Sequence, residues 1–143
     1  MWTGATQAAY FHDPQISGFL PHTFNAPPGV LVLILAKGGI PAKEALQLLP
    51  YLAGCIVMIS DKGEGRVGAH ADGRADIQYW FDDDDMDRIK RGMVRTAEVL
   101  LAGGAEELHC PVHGVGRHTT VSSFADALSS RTIADFQMYA SHP

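Results

Sequence analysis

An alternating segment that runs directly into a long amphipathic helix places the strongest constraint on how this 143-residue chain folds. The side chains of residues 75–81 alternate strictly, which predicts a β-strand. One set is Ile77, Tyr79 and Phe81, and the other is Asp76, Gln78 and Trp80. Apolar side chains then recur at helical spacing within residues 83–102: Met86, Ile89, Met93, Ala97, Leu100 and Leu101. We therefore expect a strand followed at once by a helix that packs on the Ile77 face.

Turn residues and apolar runs divide the rest of the chain into short elements. Residues 1–29 are rich in Gly and Pro and are expected to be irregular, except for an edge strand at 18–24. Further expected strands are 55–60 (covered on both faces), its hairpin partner 66–70, a short piece around 106–109, and 136–140. Two further helices are expected. One starts at Ile40-Pro41 and ends before Gly54, and the other spans 122–130. Short strands joined mainly by hairpins predict an α+β fold, a mainly antiparallel sheet with helices packed on one face.

Composition excludes several classes of protein. Hydrophobic residues make up 46% of the chain and charged residues 19%, so it can build a core. The formal charge of −5 argues against nucleic acid as a partner, because phosphate backbones require a basic surface. The longest apolar run, residues 30–36, is much shorter than a transmembrane helix of about 20 residues. With two cysteines and no signal-peptide pattern, the cytoplasm is the default expectation.

Two short motifs have simple structural interpretations. Gly63, Gly65 and Gly68 match the spacing of a dinucleotide-binding fingerprint, but no helical pattern follows them, so we interpret them as a hairpin turn. The run Asp82–Asp85 lacks the pattern of a calcium loop and fits the capping and charge preferences of a helix start. Within that helix, Asp84 with Arg88 forms an expected (i, i+4) pair on the solvated side.

A cluster of histidines provides an alternative of another class. His109, His113 and His118 lie within ten residues, together with Cys110. The spacing between His113 and His118 suits a zinc site, but His109 and Cys110 are adjacent and are not expected to converge on one ion. Histidines of a polar loop are the simpler interpretation, and a zinc-binding module remains a weaker alternative.

The order of motifs resembles that of a known family. The motifs are Asp61-Lys-Gly-Glu-Gly-Arg-Val67, Ile77-Gln-Tyr-Trp-Phe81, a helix carrying Asp87 and Gly92, Gly103-Gly-Ala105, and a final His142-Pro143. Together they resemble the substrate-domain half of the glucose–methanol–choline (GMC) flavin oxidoreductases, most of all the long-chain alcohol and sterol-type members. The resemblance covers roughly residues 15–143, apart from 111–120.

This resemblance implies that residues 1–143 form a partial substrate-binding domain whose flavin-binding half is absent. The parent enzyme would oxidise the CH–OH group of an alcohol, long-chain or sterol, by hydride transfer to FAD bound mainly by the missing half. His142 occupies the position of the family's catalytic base, and imidazole suits proton transfer near neutral pH. The strand register places Gln78 and Trp80 on the face opposite Ile77, as candidate substrate-binding residues. The isolated chain is expected to be inactive, and a non-catalytic binding or folding module is the alternative.

Overall fold

The computed structural model describes residues 9–11, 18–24, 26–37 and 39–136. In this part of the chain the strands are β1 (Phe19–Phe24), β2 (Gly54–Ile59), β3 (Gly65–Ala69), β4 (Ala75–Tyr79), β5 (Leu108–Cys110) and β6 (Gly116–His118). The helices are α1 (Pro28–Lys37), α2 (Ala42–Leu48), α3 (Asp83–Ala102) and α4 (Val121–Ser129). Short 3₁₀ turns follow α2 at Leu49–Tyr51 and α4 at Ile133–Asp135. The content confirms the expected α+β class.

Every strand pair is antiparallel, but the pairs form three separate two-stranded sheets. The expected hairpin of residues 55–60 with 66–70 is wrong: β2 pairs with β1, and β3 pairs with β4. The turn between β2 and β3 does not close a hairpin, because its backbone is bound to helix α3 instead. The expectation that β2 is covered on both faces is also wrong, since Ile56 and Met58 are 37% and 48% exposed.

Helix α3 joins two regions of packing. On one side Gly92 lies so close to the β1–β2 sheet that an added Cβ would come within 2.5 Å of Val57 Cγ1 and 3.0 Å of the Phe19 ring. On another side α3 packs on α4 and β5. The buried members of this second region are Ala97, Leu108, Cys110, Val112, Val115, Phe124 and Leu128. A smaller cluster of Leu35, Ile40 and Ala45 joins α1 to α2.

Helix α1 is an element that the sequence pattern did not predict, as is strand β6, which lies in an expected polar loop. Residues 30–36 of α1 are uniformly apolar, so they show no helical periodicity. Pro28 stands at the first helical position, where a missing N–H costs nothing, and Gly39 with φ of +93° follows the helix. In the described residues no helix is long and apolar enough to cross a membrane.

The end of the described chain differs from the expected last strand. Phe136 follows the 3₁₀ turn and packs against the α3–α4 core without belonging to a strand. Residues 137–140, the rest of that expected strand, lie outside the described residues.

Candidate functional site

The two candidate substrate-binding residues lie on the β3–β4 hairpin. Gln78 is exposed on β4, opposite Arg66, and its side-chain amide donates to Asp76 Oδ2 at 3.2 Å. Trp80 follows β4, is 56% exposed, and donates its backbone N–H to the Glu64 carbonyl at 3.2 Å. Both side chains are therefore available to a ligand or to another surface. His142, the candidate base, lies outside the described residues.

The opposite face of the hairpin is not packed as expected. Ile77 is 64% exposed, and its cross-strand partner Val67 is 74% exposed, so Ile77 does not pack beneath α3. Tyr79 and Phe81 instead form an edge-to-face pair with ring centroids 5.0 Å apart. The hairpin extends from the described core with an apolar face that the described residues leave open.

The base of the hairpin is held by a fully buried carboxylate, Asp85, in the first turn of α3. Its two oxygens accept the backbone N–H of Lys62 at 3.1 Å, and Oδ2 also accepts the N–H of Gly63 at 3.1 Å. The N–H of Asp85 itself donates to Oδ1 of Asp82 at 2.7 Å, which confirms Asp82 as the helix cap. Asp85 therefore fixes the position of the turn that leads into β3.

Arg88 neutralises this buried carboxylate. Its guanidinium pairs with Asp85, donates to the Ser60 carbonyl at 2.6 Å, and lies 3.3 Å from Asp84 Oδ2. The predicted Asp84–Arg88 pair exists, but its expected position on the solvated side is wrong, because Arg88 is only 9% exposed. Arg88 satisfies both the carboxylate and the carbonyl that follows β2, so a buried charge is paired and hydrogen-bonded, as burial requires.

Two glycines of the fingerprint-like motif are required by close contacts. A Cβ on Gly63 would lie 2.1 Å from the Trp80 carbonyl oxygen, and one on Gly65 would lie 2.9 Å from Tyr79 Cδ2. A strand, β3, begins at Gly65 where a dinucleotide site would need a helix. The expected hairpin turn at this motif is wrong, because residues 60–64 form an irregular connection between strands of two different sheets. The described residues form no cradle there for the phosphates of FAD.

Asp84 supplies the exposed charge of this cluster. The Lys62 ammonium donates to Asp84 Oδ2 at 3.2 Å, and this hydrogen bond, with the charges of Lys62 and Arg88, lowers the pKa of the Asp84 carboxyl. Both side chains are more than half exposed, so the pair contributes little to stability.

The zinc alternative gains no support from the described residues, among which no three potential ligands converge. The His118 ring nitrogens contact Ser123 Oγ at 3.0 Å and the Val115 carbonyl at 2.8 Å. His109 Nε2 lies 3.3 Å from Glu107, and its buried Nδ1 has no partner among the residues that the structure describes. Burial raises the pKa of the neighbouring Cys110 thiol to about 11.

Asp85 and Arg88 are the residues that sequence reasoning missed as parts of the site. One signal was present: Asp85, Gly92 and Thr96 share a helix face by their spacing, and all three are buried. The four consecutive aspartates obscured it, because all of them suit the first turn of a helix.

Comparison with known proteins gives one partial match. Over 96 residues the chain is 28% identical to the long-chain-alcohol oxidase FAO3 of Arabidopsis thaliana. The match covers 67% of this chain but only 12% of that protein. No family model and no solved structure matches the chain. The comparison suggests the GMC family.

Proposed function

We propose that this chain is part of the substrate-binding domain of a GMC-type flavin oxidoreductase that oxidises the CH–OH group of a long-chain or sterol-type alcohol. The observation that carries the proposal is the motif at residues 61–67. Asp85 accepts a hydrogen bond from its backbone. Gly63 and Gly65 lack side chains where Trp80 and Tyr79 approach closely. The partial match to a long-chain-alcohol oxidase supports the same family.

Within this proposal, each candidate residue has a separate role. His142 accepts the hydroxyl proton of the alcohol, because it stands where the family signature has its base. Gln78 and Trp80 contact the substrate, since an exposed amide and an exposed indole project from the hairpin. FAD is the implied hydride acceptor. The described residues do not fit it, and in this proposal the flavin-binding half of the parent protein binds it for the most part.

The proposal is tested by expressing the protein from its reading frame extended upstream and downstream. We expect the extended protein to show flavin absorbance after gel filtration and to oxidise dodecanol. The 143-residue chain, purified in parallel as the control, should be colourless and inactive. An extended frame with no glycine-rich strand–turn–helix, or an extended protein that binds no flavin, would contradict the proposal.

A further inference from the structure

An open cleft of about 950 Å³ lies along helix α3. Residues of α3 and α4 line it, together with Phe19 of β1 and Lys62. Neither Gln78 nor Trp80 lines it. The proposed substrate contacts therefore do not account for this cleft.

Basic side chains are concentrated in this cleft although the chain is acidic. Five of the 11 Lys and Arg residues line it, against two carboxylates, whereas the whole chain has a formal charge of −5. The basic residues are Lys62, Arg88, Lys90, Arg91 and Arg95, and the acidic ones are Asp84 and Glu98. Positive charge collected in a concave surface attracts anions.

Most of these cations already have partners. Lys62 pairs with Asp84, Arg95 pairs with Glu98, and Lys90 donates to the Ser129 carbonyl at 3.1 Å. Arg91 differs from them: it is exposed and makes no hydrogen bond or ion pair with any residue in the part of the chain that the structure describes, and its charge acts only at longer range, where it helps to lower the pKa of the Asp84 carboxyl. A guanidinium in this state can form two parallel hydrogen bonds with a carboxylate.

Part of the lining is apolar, and we call the half-buried side chains of Val94 and Ala125 the floor of the cleft. Phe19 and Leu128 also line the cleft but are themselves buried. An occupant must therefore present both an anionic group and a hydrocarbon portion. A concave cleft with one unpartnered guanidinium favours a single small amphiphile over a flat membrane surface.

We propose that this cleft binds an amphipathic carboxylate, with the carboxylate on Arg91 and the hydrocarbon chain on the floor formed by Val94 and Ala125. This inference does not depend on the proposed function, because its test measures binding and not oxidation. If the cleft binds no carboxylate, the proposal of an alcohol oxidoreductase is unchanged.

The test is calorimetric titration of the 143-residue chain with sodium dodecanoate below its micelle concentration. We expect saturable binding that weakens as salt is added. Arg91→Gln should weaken it about fivefold, as removal of one exposed charge partner does. Arg66→Gln is the matched control, because it removes the same charge from the exposed hairpin and should leave the affinity unchanged.

Three results would overturn the proposal. The first is no binding of dodecanoate, and the second is an equal loss of affinity in the Arg91 and Arg66 variants. The third is equal binding of dodecyltrimethylammonium, which carries the same hydrocarbon chain with the opposite charge. Arg91-dependent binding to phosphatidylserine vesicles without binding of dodecanoate would also overturn it, and would identify a membrane contact instead.

Discussion

Gly63 donates its backbone N–H to Oδ2 of Asp85 across 3.1 Å, although 22 positions separate the two residues in the chain. This hydrogen bond connects the turn before β3 to the first turn of α3, at the point where Arg88 neutralises the carboxylate. The orientation of the hairpin that carries Gln78 and Trp80 therefore depends on a buried ion pair in the helix.

Replacement of Asp85 by Asn should lower the free energy of unfolding by about 3 kcal/mol, because the buried Arg88 guanidinium would lose its buried counter-charge and keep only the exposed carboxylate of Asp84. Urea denaturation followed by circular dichroism measures this change. Asp83→Asn is the matched control in the same helix turn. Because Asp83 is exposed, this substitution should lower the free energy of unfolding by less than about 1 kcal/mol. Equal losses in the two variants would show that Asp85 contributes only through its charge at the helix start.

Gly92→Ala should destabilise the protein by about 1–3 kcal/mol, because its Cβ would overlap Val57 Cγ1. The better helix propensity of Ala, worth about 1 kcal/mol, offsets only part of this cost. Gly29→Ala in α1 is the control: nothing lies within 4 Å of its added Cβ, so stability should be unchanged or higher. In the double variant, Val57→Ala should restore part of the stability lost through Gly92→Ala, because it removes the overlapping methyl group. If the losses of stability simply added, the packing described would be contradicted.

Gly63→Ala should lower the free energy of unfolding by about 2 kcal/mol or more. Its Cβ would lie 2.1 Å from the Trp80 carbonyl oxygen, and no side-chain movement can relieve an overlap with the backbone. The emission spectrum of Trp80 should change as the base of the hairpin rearranges. Gly68→Ala serves as the control within the same motif, since its nearest neighbour would be 3.7 Å away, an ordinary contact. A Gly63→Ala variant as stable as Gly68→Ala would contradict the close approach.

Stability should fall as the pH rises above 9, since burial raises the pKa of Cys110 from 9.0 to about 11. The neutral thiol is favoured in the folded state, so its contribution to the free energy of unfolding is complete below the pKa that Cys110 has in the unfolded chain. This contribution is lost between about pH 9 and 11, and amounts to about 2–3 kcal/mol at most. Urea unfolding at pH 8 and 10.5 measures the loss, and Cys110→Ala should show a smaller one. The same pH dependence in both proteins would contradict this interpretation.

In the extended protein, His142→Ala should lower turnover of dodecanol by about 10²–10⁴-fold, the usual contribution of a general base. Substrate affinity should change much less, because the base acts on the proton in the transition state. A threefold or smaller change in turnover would exclude His142 as the base.

Trp80→Ala in the extended protein should instead change the relative kcat/KM among alcohols of different length. An unchanged preference among these alcohols would exclude Trp80 from the pocket.

Elements with a clear local pattern were predicted well. Helix α3 begins and ends where its caps and stripe indicate, and α4 and β4 lie within two residues of their expected bounds. These elements depend on spacing and capping, which are properties of neighbouring residues. Helix α1 was missed because a uniformly apolar segment carries no periodic signal.

Pairing and burial were harder to predict because they depend on distant residues. Nothing near β2 indicates that β1, more than 30 residues earlier, is its partner. The burial of Asp85 depends on a backbone turn 22 residues before it. Of the candidate site, Gln78 was correctly placed on a strand, whereas Trp80, expected within the same strand, follows its end. Their contact with substrate and the role of His142 stay predictions.

The central position of α3 has a consequence for how the chain folds during synthesis. Strands β1 and β2 leave the ribosome before residues 83–102, yet Phe19 and Val57 pack against Gly92 of that helix. The α4 region is made afterwards and packs on the same helix. Stable tertiary structure therefore forms late, after α3 has emerged, and a nascent chain that stops before Asp83 would retain exposed apolar strands for chaperones to bind.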